Sequence, residues 1–77
     1  MDTVTLQLNN GSSWTYELVS ITEAHIYMQD QRDYTRLRLD RDGNKLYSYD
    51  VYSGIWKYME NTSTMIDRVK INQCKWV

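Results

Sequence analysis

Proline and phenylalanine are absent from this 77-residue chain, which has one alanine, one cysteine, one histidine and three glycines. Each scarcity excludes something. A lone thiol, Cys74, cannot close a disulfide within one chain, so neither a disulfide-stapled secreted scaffold nor a cysteine-ligated zinc site is expected. With almost no alanine the best helix former is missing, while Thr, Val, Ile and Tyr are frequent and favour strands. No window approaches the roughly eighteen apolar residues that a membrane-spanning helix needs, so no membrane association is expected. No glycine-rich phosphate loop occurs. The opening residues Met1–Thr5 carry neither a basic stretch nor an apolar one, so no secretory leader is expected and the location read from the sequence is cytoplasmic. The two Asn-x-Ser/Thr sequons, at Asn10 and Asn61, then read as turn residues rather than glycan sites.

Charge is balanced overall and uneven along the chain. Residues 1–31 hold Asp2, Glu17, Glu23 and Asp30 with no base, a net of −4; residues 32–77 hold nine bases against six acids, a net of +3; together they return the net charge of −1. A global basic field of the kind that binds nucleic acid is absent, and a local basic patch in the second part of the chain is not.

What is abundant is the aromatic ring with a polar handle: seven tyrosines and three tryptophans. Such rings suit places that are half apolar and half wet, the rims of shallow cores and the centres of interfaces.

Apolar and polar residues alternate with period two through Val4, Leu6 and Leu8, through Trp14, Tyr16 and Leu18, through Ile26 and Met28, and through Leu37 and Leu39. Turn signals fall between these runs at Asn9-Asn10-Gly11, Asp30–Asp33, Arg41–Asn44 and Ser53-Gly54. The pattern predicts a single all-β domain over 1–77, an antiparallel meander of six or seven short strands forming a small barrel or a strongly bent sheet. Thr64–Asp67 fits a capping box, which predicts one short helical turn near 63–67 and then a strand to Val77; the same stretch could instead open that strand directly.

Hairpin registers follow from hydrophobicity, because a one-residue slip exchanges the two faces of a strand. A three-residue loop ending on Gly11 pairs Leu6 with Trp14 and Val4 with Tyr16. Arg41-Asp42-Gly43 has the same signature and would pair Leu37 with Tyr47 and Thr35 with Tyr49. That register sends Tyr47, Tyr49, Val51, Trp56 and Tyr58 into the core. A two- or four-residue turn would instead set these rings beside Arg36 and Arg38 as an aromatic–basic platform favouring nucleic acid. It would also turn Ser48 and Asp50 inward, and a buried unpaired carboxylate costs several kcal/mol, so burial of the rings is expected. A two-residue turn at Ser53-Gly54 pairs Asp50 with Lys57, Val51 with Trp56 and Tyr49 with Tyr58. A four-residue Asp30–Asp33 loop pairs Gln29 with Tyr34, Tyr27 with Arg36 and His25 with Arg38.

The last of these registers gathers the candidate site. His25, Tyr27, Gln29, Tyr34, Arg36 and Arg38 would share one outward face while Ile26, Met28, Leu37 and Leu39 point inward. Interleaved tyrosines and guanidiniums can anchor a protein partner that carries carboxylates or stack bases and contact phosphates. They can also be an ordinary solvated surface on which Arg36 lies over Tyr27. Catalysis is not expected: His25 and Glu23 with Arg36 or Arg38 would make a ribonuclease-like set only by adjacency. Asp40–Asn44 resembles the opening of a calcium loop, but glycine falls at the fourth position and Val51 stands where a bidentate Glu is required, so no metal or other cofactor is expected. The function expected is a non-enzymatic protein-binding module, an inhibitor or accessory factor, for example phage-encoded, that occludes a partner surface of acidic character. The alternative is a single-stranded nucleic-acid binder using the Tyr/Arg face. Either would be a monomer or a homodimer.

Overall fold

The computed structural model describes residues 2–73; the expected end of the last strand at Val77, and Cys74, lie outside them. Seven strands follow in chain order: β1 (Thr3–Leu8), β2 (Ser13–Ile21), β3 (His25–Gln29), β4 (Arg36–Asp40), β5 (Lys45–Asp50), β6 (Ile55–Tyr58) and β7 (Ile66–Asn72), with one short helix, α1 (Glu60–Met65), before β7. They form one antiparallel sheet in the order β6-β5-β4-β3-β2-β1-β7. The sheet is bent and not closed, since β6 and β7 are its two edges.

Alternation builds the core. Val4, Leu6 and Leu8 of β1, Ile26 and Met28 of β3, Leu37 and Leu39 of β4 and Leu46 of β5 are buried on one face. Val69 and Ile71 of β7 come round to pack against this cluster. No aromatic side chain is among these buried residues; aliphatic chains and one methionine fill the space.

The first hairpin has the expected register, Val4 opposite Tyr16 and Leu6 opposite Trp14. Gly11 takes φ 89°, and its N–H bonds to the Leu8 carbonyl at 3.1 Å, so the loop is a tight turn closed by a left-handed residue. The hairpins β3–β4, β4–β5 and β5–β6 differ from expectation. Gln29 pairs with Arg36, Tyr27 with Arg38 and His25 with Asp40, two residues along from the predicted register. Leu37 pairs with Ser48 and Leu39 with Leu46, and Tyr47 pairs with Tyr58 and Tyr49 with Trp56.

All three share one plan. Loops 31–34, 41–44 and 51–54 each follow an aspartate (Asp30, Asp40, Asp50), and each ends on a left-handed residue: Tyr34 at φ 62°, Asn44 at φ 52° and Gly54 at φ 71°. Asn44 accounts for the four-residue length of the turn at 41–44. Gly43 is also left-handed at φ 81°, but asparagine tolerates that region better than most side chains, so the turn admits a fourth residue. Parity then turns Tyr47 and Tyr49 away from the core. Asp50 is not buried unpaired, because β5 runs past the core there and Asp50 meets Lys57 at 3.0 Å.

The helix lies earlier than the capping-box pattern suggests. Thr64 sits inside it with its hydroxyl donating to the Asn61 carbonyl at 2.9 Å, and no side chain caps the N-terminus at Met59. Ser63 ties the helix to the sheet: the Leu46 N–H donates to its hydroxyl oxygen at 2.8 Å, and that hydroxyl donates to the Met59 carbonyl at 2.6 Å.

Candidate functional site

With the core on one face, everything of opposite parity on β3 to β6 lies on the other. There β3 places His25, Tyr27 and Gln29; β4 places Arg36, Arg38 and Asp40; β5 places Lys45, Tyr47 and Tyr49; and β6 places Trp56 and Tyr58. Four of the five predicted site residues, His25, Tyr27, Arg36 and Arg38, are therefore on one face as expected. Tyr34 is not on a strand: it closes loop 31–34 and is 70 % exposed. Of the six further members, Lys45, Tyr47, Tyr49, Trp56 and Tyr58 were hidden by the register of the 41–44 turn, whereas Asp40 precedes that turn and shares its face with Arg36 and Arg38 by alternation alone.

The rings form a cluster of their own. Tyr47 and Tyr58 stand 5.4 Å apart between centroids, Tyr49 and Trp56 5.1 Å apart, and Tyr27 meets Trp56 edge-on at 6.2 Å. Both of the first two are cross-strand pairs, the unit by which a sheet stabilises one face. The guanidinium of Arg38, not of Arg36, enters this cluster. Its central carbon is 4.6 Å from the Tyr47 ring centre and 5.1 Å from that of Trp56. An aromatic box of this kind attracts a cation, and here the chain supplies its own.

Asp40 answers that charge. Its Oδ1 lies 3.4 Å from Arg38 Nε and 3.2 Å from His25 Nε2. Both Arg38 Nε and Asp40 Oδ1 are shielded from solvent and make no aligned hydrogen bond, so the pair is held by charge rather than by directed bonding. The other two loop-leading aspartates behave differently. Asp30 Oδ1 accepts from the Arg32 N–H at 2.8 Å and Asp50 Oδ1 from the Tyr52 N–H at 3.0 Å, each fastening its own turn. Asp40 alone of the three is diverted to side chains on the face. The carboxylate that meets His25 is thus that of Asp40.

Electrostatics elsewhere are local. The Lys57 ammonium, with help from the Tyr52 N–H and the Ser53 side chain, holds the Asp50 carboxyl down at about 2. The Thr35 backbone and hydroxyl, bonded to Asp33, lower that carboxyl too. Burial raises the Tyr16 phenol on the other side of the sheet, and Asp30 adds to it.

Two grooves adjoin the cluster. One of about 520 Å³ runs between Val19 and Trp56, with Tyr27, Gln29 and Arg36 along it. A second, of about 790 Å³, lies at the end of the strands where loops 31–34 and 51–54 come together, and Arg36 borders this one as well. Among the described residues no three His, Cys, Asp or Glu side chains converge as metal ligands, and no helix is long and apolar enough to cross a membrane.

What the face offers chemically is a set of half-covered rings with polar edges, one internally neutralised guanidinium, and two cations, Arg36 and Lys45, that have no carboxylate partner among the described residues. No known protein family, curated protein or solved structure matches this chain, so its residues alone carry the functional argument.

Proposed function

We propose that this protein is a non-enzymatic binding module that engages another protein through the outer face of β3 to β6. It acts as an inhibitor or accessory factor by covering a surface of its partner. The observation that carries this reading is the ring cluster. Tyr27, Tyr47, Tyr49, Trp56 and Tyr58 are packed against one another on the face away from the core, with Arg38 fixed between two of them. Tyr, Trp and Arg are the residues richest in binding hot spots. Rings already held in place lose little freedom when a partner arrives, which leaves more of the contact energy for affinity. A cytoplasmic location accompanies the reading.

One observation favours a second reading. The four-residue turn at 41–44 sets tyrosines beside Arg36 and Arg38, and rings alternating with guanidiniums can stack bases of a single strand. Against it, the Arg38 charge is already met by Asp40, and the chain carries a net charge of −1.

Affinity capture from the native host with Trp56→Ala and Tyr58→Ala as controls separates the readings. A protein recovered by the unsubstituted chain and lost from both variants supports the first. Recovery of nucleic acid, released as salt rises because log affinity falls with log salt, would replace it with the second.

A further inference from the structure

Building on the protein-binding reading, we infer that the groove beside Arg36 is where the partner chain is gripped, and that it receives an apolar side chain adjacent in sequence to an aspartate or glutamate. Two independent features meet there. The first is a bulge in β2. Between Leu18 and Ser20 the pairing with β3 slips by one residue, which leaves Val19 out of the ladder and 59 % exposed. Bulges re-aim side chains, and this one gives the groove an aliphatic wall facing the aromatic wall of Tyr27 and Trp56.

The second feature is charge. Arg38 is committed to Asp40 and covered by Tyr47 and Trp56, and Lys57 is committed to Asp50. Arg36 lines the groove with no carboxylate partner among the described residues. A free guanidinium fork matches a carboxylate. Apolar walls beside one uncompensated cation define an occupant with one apolar and one anionic group next to each other. A nucleic-acid strand fits this less well because it needs a continuous cationic track. The other uncompensated cation of the face, Lys45, lies roughly 13 Å farther along the strands at ~3.3 Å per residue.

The test is an amide NMR titration of the full chain with the blocked peptides Ac-Gly-Leu-Glu-Gly-NH2 and Ac-Gly-Leu-Gln-Gly-NH2, and with hexathymidylate. The Glu peptide should shift Val19, Tyr27, Gln29 and Arg36 at low-millimolar concentration. The Gln peptide should bind about threefold more weakly, the difference expected of one exposed ion pair. Arg36→Glu should reverse the preference, favouring Ac-Gly-Leu-Lys-Gly-NH2 over the Glu peptide; its position is exposed, so the fold survives the change. Equal binding of the Glu and Gln peptides, or shifts away from the groove, or shifts from hexathymidylate alone, each overturns the inference. If the host partner is lost from Tyr58→Ala and kept by Arg36→Gln, the groove fails while the face-level reading stands.

Discussion

The guanidinium of Arg38 lies over the ring of Tyr47, its neighbour across the β4–β5 ladder, with 4.6 Å between its central carbon and the ring centre. That contact exists because the turn before Tyr47 holds four residues; with three, the ring would face the opposite way. It makes Arg38 a structural cation, held by rings on one side and by Asp40 on the other, and it frames the first prediction.

Asp40→Asn removes the only carboxylate among the described residues within reach of the shielded Arg38 Nε, and should cost about 1–3 kcal/mol, the range for stranding a covered polar group. In an Arg38→Met background the same change should cost clearly less, because no stranded cation remains. Denaturant unfolding of the four proteins measures the coupling. Equal costs in both backgrounds would show that the two side chains do not act together.

The rings of the outer face are half-covered, whereas Leu39 is 1 % exposed. Leu39→Ala should therefore fall in the range of about 2–5 kcal/mol for emptying a core position. Tyr49→Ala and Trp56→Ala should cost less, about 1–2 kcal/mol, roughly two cross-strand contacts apiece. For partner binding the order should reverse, with losses of about 2 kcal/mol or more at Trp56. Melting curves beside affinities check this; a Trp56→Ala loss of stability as large as that of Leu39→Ala would place the indole in the core.

Ser63→Ala leaves the Leu46 N–H without its partner in a buried setting. The expected loss is about 1–3 kcal/mol, and hydrogen exchange at the Leu46 amide should accelerate by more than at the amide of Leu39. An unchanged exchange rate at Leu46 would mean that the helix is not pinned there.

Asp50 sets a pH dependence. Its carboxyl is lowered from the ordinary 3.8 to about 2 by Lys57 first, so its contribution is complete above about 3.8 and lost as the pH falls through about 2. The stability difference between the wild-type chain and Asp50→Asn should thus be constant from neutral pH down to about 4 and vanish towards pH 2. A difference that grows on acidification would contradict the pairing with Lys57.

The strands, their alternation and the aliphatic core were legible because period-two patterns report burial directly. The first hairpin was legible for a further reason: only one of its registers put Val4 and Leu6 opposite apolar residues. The 41–44 turn resisted because its information sits in a backbone preference, the tolerance of Asn44 for a left-handed conformation, rather than in hydrophobicity. Weighing Ser48 and Asp50 as if a strand were buried along its whole length then favoured the wrong face. Four site residues survived the two-residue shift between β3 and β4 because an even shift preserves faces. Tyr34 did not survive it, since the shift moved it off the strand and into the loop.

Three loops of equal length, led by Asp30, Asp40 and Asp50 at ten-residue intervals, also bear on how such a chain can change over generations. A slip of one residue in the register at any of them would exchange the aliphatic and aromatic sides of the strand that follows. Two residues at once leave both sides where they are. Descendants of this sequence can therefore vary the lengths of these loops where the change stays inside the turn and leaves the register of the next strand as it is. The loops work as a parity check written into the gene, passing changes that keep the aromatic side outward and rejecting those that turn it inward.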